Sequence, residues 1–112
     1  MQEITVLGEK YTIEVLPEKE DSCLETSDGY CDFSTRNIII RDMTDDTKED
    51  PNSLRDMEMF TNKVKRHEII HAFLCESGLH CESFWATNEE MVDWLAIQFP
   101  KILKAFEEAN CI

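Results

Sequence analysis

Two histidines four residues apart with a glutamate between them, His67-Glu68-Ile69-Ile70-His71, are the residues of this chain best suited to chemistry. On an α-helix, positions i and i+4 are neighbours on one face, about 5–6 Å apart at Cβ. Two imidazoles so placed both reach a single zinc ion, at about 2.0–2.1 Å from each nitrogen. Glu68 is rotated by roughly 100° about the helix axis, so it flanks the ligand pair instead of joining it. From there its carboxylate can take a proton from an activated water, which is hydrolytic chemistry and most often peptide hydrolysis. The chain has three histidines, and two of them fall at this spacing.

A catalytic zinc usually takes three protein ligands and keeps one position open, so a third must come from elsewhere. Glu89 and Asp93 stand at i and i+4 further along the chain. Glu89 is the expected ligand, with Asp93 expected to receive the free N–H of a ligating histidine. Glu90 is an alternative, although the Thr87-x-x-Glu90 spacing gives it a local role in a capping box. His80 is a further alternative. Cys75, one turn past His71, is read as a small hydrophobe.

These side chains need a frame. Ile4 to Leu7, Gly8-Glu9 and Lys10 to Leu16 read as a β-hairpin with Gly8-Glu9 as its two-residue turn and Tyr11, Ile13 and Val15 on one face. Asp28-Gly29 signals a turn before a short strand, Tyr30 to Phe33. Ser34 to Asn37 then turns the chain into Ile38-Ile39-Ile40, a strand buried on both faces. Residues 1–41 thus supply three or four strands, mostly antiparallel. An acidic loop from Asp42 to Ser53 lacks the order of a calcium loop. Ser53 and Asp56 resemble a capping box opening a helix over 54–77, with Phe60, Val64, His67, His71 and Leu74 on one stripe. The apolar residues after Arg66 imply burial, and Gly78 ends the helix. A last helix over 88–110 carries Met91, Trp94, Leu95 and Ile97, and Pro100 is expected to kink or restart it. The fold class is α+β, a small sheet on two helices, in one domain over 1–112.

Composition narrows the function. Apolar residues make up 42% of the chain, a globular proportion. Eleven Lys and Arg stand against 24 Asp and Glu, a net charge of −13. That balance disfavours nucleic acid and favours encounter with basic polypeptides. No apolar run is long enough for a membrane helix and the first residues do not form a secretion signal, so a cytoplasmic setting is expected. The five cysteines, Cys23, Cys31, Cys75, Cys81 and Cys111, are expected as free thiols.

His67-Glu68-Ile69-Ile70-His71 followed by Asn88-Glu89-Glu90-Met91-Val92-Asp93 resembles the gluzincin signature, H-E-x-x-H then N-E-x-x-x-D, of thermolysin-like peptidases. The layout through Leu95-Ala96 to Pro100 is also similar to ImmA/IrrE-type phage and prophage metallopeptidases and to small phage proteins with an H-E-x-x-H motif. The resemblance covers roughly the C-terminal half. It implies a minimal zincin core in a bacterial or phage-infected cell, with Zn2+ on His67, His71 and Glu89, Glu68 as general base and Asp93 behind a ligand. The implied activity is zinc-dependent hydrolysis of a polypeptide. The alternative is a catalytically silent zinc-binding regulatory or interaction module of phage origin.

Overall fold

Three isoleucines in succession can all be buried only where a sheet is covered on both faces, and here they form its interior. The computed structural model describes residues 1–44 and 56–112. Its strands are β1 (Gln2–Val6), β2 (Glu9–Leu16), β3 (Gly29–Asp32) and β4 (Asn37–Arg41); its helices are α1 (Met57–Glu76) and α2 (Glu89–Glu108). The sheet order is β1-β2-β4-β3, with both outer pairings antiparallel and the central β2–β4 pairing parallel. This is an α+β fold with a mostly antiparallel four-stranded sheet. The expected β4 is buried on both faces, Ile38, Ile39 and Ile40 being at most 3% exposed.

The register explains the core. Ile13 pairs with Ile38, and Tyr11 with Ile4, so these side chains share the face that α1 covers. With Val6, Ile40, Met43, Val64 and Ala72 they make the main apolar cluster. Val15, expected beside Tyr11 and Ile13, lies at the sheet end and is 46% exposed. Gly29 matters for space, not for a turn. A Cβ there would stand 2.9 Å from the Ile39 carbonyl oxygen and 3.1 Å from Val64 Cγ1. Its absence lets α1 settle against β3, beside the histidines.

Several local expectations change. The hairpin turn is Leu7-Gly8, not Gly8-Glu9, because Val6 pairs with Glu9. Both central residues have positive φ, 49° and 87°, the twist that suits a tight hairpin and that glycine favours. The α1 N-cap is Asp56, whose Oδ1 accepts from the Met59 N–H at 2.9 Å; the proposed cap Ser53, the start at Leu54 and most of the acidic loop lie outside the described residues. The buried line of α1 is Val64, Glu68 and Ala72, with His67 and His71 one step round and only half-buried. Burial after Arg66 is also less than expected, Phe73 being 41% exposed. Gly78, at φ 83°, ends the helix as anticipated.

The capping-box reading at 87–90 is corrected too. Asn88 caps α2, its Oδ1 accepting from the Met91 N–H at 2.8 Å, while the Thr87 hydroxyl turns back to donate to the Phe84 carbonyl. That leaves Glu89 and Glu90 in the first turn, where a carboxylate is favourable beside the helix dipole. Helix α2 runs unbroken through Pro100. Proline inside a helix costs about 3 kcal/mol, partly through the lost bond to the carbonyl four residues back. Here that carbonyl belongs to Ala96, and it accepts instead from Arg66 Nε of α1 at 2.6 Å. No helix among the described residues is long and apolar enough to cross a membrane.

Candidate metal centre

Helix α1 presents His67 and His71 beside its sheet-facing line, and α2 runs past them so that its first turn meets the pair. The Nε2 atoms of the two imidazoles lie 3.1 Å apart. Glu89 Oε2 is 2.9 Å from His67 Nε2, and Glu89 Oε1 is 3.0 Å from His71 Nε2. Three ligands on a tetrahedral zinc at about 2.0–2.1 Å are spaced about 3.3 Å apart. The observed separations, two of them to different oxygens of the one Glu89 carboxylate, are a few tenths of an ångström shorter, so the three side chains already converge on a space that a small outward shift would open to one ion. Among the described residues this is the one group of its kind, its donor atoms all within 4.8 Å of each other.

The donor chemistry fits a metal as well as the spacing does. His67 Nδ1 is 3.0 Å from Asp93 Oδ1. An ionised Asp93 takes the Nδ1–H and leaves Nε2 with its lone pair aimed at the cluster, the usual support for a ligating histidine. Burial raises the Asp93 carboxyl, but Lys63 and His67 outweigh it and hold the group below the ordinary carboxylate value. Lys63 Nζ reaches the same oxygen at 3.0 Å. Burial likewise pushes Glu89 up, and the charges and hydrogen bonds of His71 and His67 bring it net below its ordinary value. Both carboxylates are thus ionised at neutral pH, as a ligand and its support should be.

Glu68 lines the same cleft from deeper in, on the sheet side of the histidines. It is the one buried charged residue among those described, 7% exposed, and it sits between the imidazoles and β3. Burial raises its carboxyl to about 7; His67 opposes that shift and Glu89 adds to it. Together these groups line a cleft of about 520 Å³, bounded on one side by β3 and on the other by α1 and the start of α2. Cys31 and Cys75 line it with Glu68, and burial followed by its neighbours Cys75, Glu68 and Asp32 pushes the Cys31 thiol up to about 12. All five cysteines are free.

The other sequence candidates go elsewhere. Glu90 is exposed on α2 and outside the cleft. His80 packs edge-on against Phe33, with ring centroids 4.5 Å apart, and lies by Cys81 Sγ. Arg36 does not line the cleft and is bound to Glu76 at 2.8 Å. Tyr30 lines the cleft, but its hydroxyl donates to Asp21 at 2.5 Å. Sequence reasoning missed Lys63 and Arg66. Lys63 stands four residues before His67, on the same helical face, which is a usable signal for a cation that reaches Asp93. Comparison with protein-family models, with curated proteins and with solved structures gave no match.

Proposed function

We propose that this protein is a zinc-dependent metallopeptidase, with His67, His71 and Glu89 as ligands and Glu68 as general base. The observation that carries the reading is the convergence of those three donors at the cleft that also holds a buried carboxylate. Zinc held there would supply Lewis acidity, acidifying water and polarising a carbonyl. Glu68 would take the proton from the attacking water and return it to the leaving amine, and a carboxyl raised toward neutrality suits both transfers. Asp93 would keep His67 in the tautomer that offers Nε2 to the metal. The polypeptide would lie extended along β3, an edge of the sheet that forms one wall of the cleft. A net charge of −13 favours basic segments over acidic ones at encounter.

The test is a metal analysis followed by a cleavage comparison. Protein purified without added zinc is expected to bind one equivalent per chain, lost in His71→Ala and Glu89→Ala. Wild type should then cut members of a proteome-derived peptide library that Glu68→Gln leaves intact, with a loss of about 10²–10⁴-fold. Zinc binding with identical cleavage profiles for the two forms would reduce the protein to a metal-binding module without hydrolysis.

A further inference from the structure

The contacts between α1 and α2 follow a sequence of their own. Glu89, Asp93 and Ala96 are spaced by 4 and 3, so they share one face of α2. Glu89 meets His71 and His67, Asp93 meets His67 and Lys63, and Ala96 meets Arg66. The first two meetings are side chain to side chain and can swing with rotamers. The third is different, because Arg66 Nε donates at 2.6 Å to a backbone oxygen, the Ala96 carbonyl. Ala96 is fully buried, and its small side chain lets a guanidinium reach the main chain. The carbonyl is open to it because Pro100, four residues on, has no N–H to give.

We propose that Arg66 is a positioning residue for the metal centre: through the Ala96 carbonyl that Pro100 leaves vacant, it fixes the register of α2 against α1 and so sets Glu89 opposite His67 and His71. This rests on the metal-centre reading above. Two turns of helix separate Ala96 from Glu89, so a backbone anchor at one fixes the height of the other along α1. Arg66 touches neither the cluster nor the Glu68 carboxylate by any hydrogen bond. It acts through α2 alone. Proline at position 100 is then a device that creates an acceptor, and not a defect that the helix tolerates.

Two substitutions in the full chain test this, each read by zinc affinity in chelator competition and by amide exchange of 89–96 in the metal-free protein. Arg66→Met keeps the apolar stem and removes the donor. It is expected to weaken zinc binding at least tenfold, within the range known for outer supports of a metal site, and to speed exchange at the start of α2. Pro100→Ala restores an N–H that competes for the Ala96 oxygen. It is expected to raise the thermal midpoint, since alanine is the better helix former, yet weaken zinc binding several-fold. A stability gain with an affinity loss is an outcome that a merely structural role would not produce, and it remains readable if Arg66→Met fails to fold. Wild-type zinc affinity in Pro100→Ala, or in a folded Arg66→Met, would overturn the proposal. Absence of zinc binding in the wild type would instead sink the metal centre and with it the role given to Arg66, while exchange in the metal-free variants would still judge the helix anchor by itself.

Discussion

The two sides of α1 are held by different forces. Toward the sheet, Val64 and Ala72 pack into Tyr11, Ile13, Ile38 and Ile40, all buried and apolar, with Glu68 the lone charged intruder. Toward α2, the named contacts are polar: Lys63 with Asp93, His67 with Asp93 and Glu89, His71 with Glu89, and Arg66 with the Ala96 carbonyl. Apolar burial is insensitive to protonation and to metals, whereas a seam of histidines and carboxylates depends on both. The sheet side therefore fixes where the helix is, and the α2 side fixes what it can hold. The contrast explains why a buried carboxylate and a pair of partly buried imidazoles coexist on one helix.

Breaking the sheet side should give the largest change in stability. Ile40→Ala removes a fully buried side chain that lies against β3 and α1. It is expected to cost about 2–5 kcal/mol in denaturant unfolding, with zinc affinity per folded molecule unaltered; a matching fall in affinity would mean that the two sides are not separable.

Asp93→Asn addresses the other side. It leaves the core alone and deprives His67 Nδ1 of a charged acceptor. Zinc affinity should fall about 10–100-fold. The metal-free midpoint should hardly move, because the Lys63–Asp93 pair is partly exposed and such pairs contribute about 0–1 kcal/mol. Equal losses of stability and affinity would contradict the division.

The smallest effect is expected from pH at the far end of α1. There Glu76 accepts from Arg36 and from the Tyr11 hydroxyl. The Arg36 bond, with that of Tyr11 and against partial desolvation, holds Glu76 below its usual 4.5. Its contribution is thus present above about 4.5 and is lost as pH falls through the lower folded value. Tyr11 is raised to about 12, by burial first and then by Glu76, so its contribution is complete below 10 and is lost as pH rises through about 12. Thermal midpoints across pH should decline at both limits, and Glu76→Gln should flatten the acid decline and only lessen the alkaline one, which burial of Tyr11 sustains; an unchanged acid limb would remove this network from the account.

Much of this is legible in the sequence. The isoleucine run, the alternating hairpin arms, Gly78 and the motif spacing each reflect short-range periodicity, and the α+β class follows from them. Glu89 and Asp93 could be chosen because i and i+4 share a helix face whatever the tertiary arrangement. What stayed hidden depends on contacts distant in sequence. The spacing of His67, His71 and Leu74 suggested that the buried stripe of α1 runs through the histidines, but the close approach allowed by Gly29 turns Glu68 to the sheet instead. Proline inside α2 reads as an interruption because propensity cannot register a guanidinium arriving from another helix. Glycine serves either central position of a two-residue turn, so the sequence alone does not separate Leu7-Gly8 from Gly8-Glu9, and the pairing of Val6 with Glu9 selects the former.

The cleft between β3 and α1 also holds two partly buried sulfur atoms. Burial keeps the Cys31 thiol, and to a lesser degree that of Cys75, in the protonated form, while Cys23, Cys81 and Cys111 face solvent. Alkylating reagents attack the thiolate, so the chain carries three fast sulfurs and two slow ones. Because the slow pair lines the cleft, a molecule bound there should slow its labelling further and leave the other three untouched.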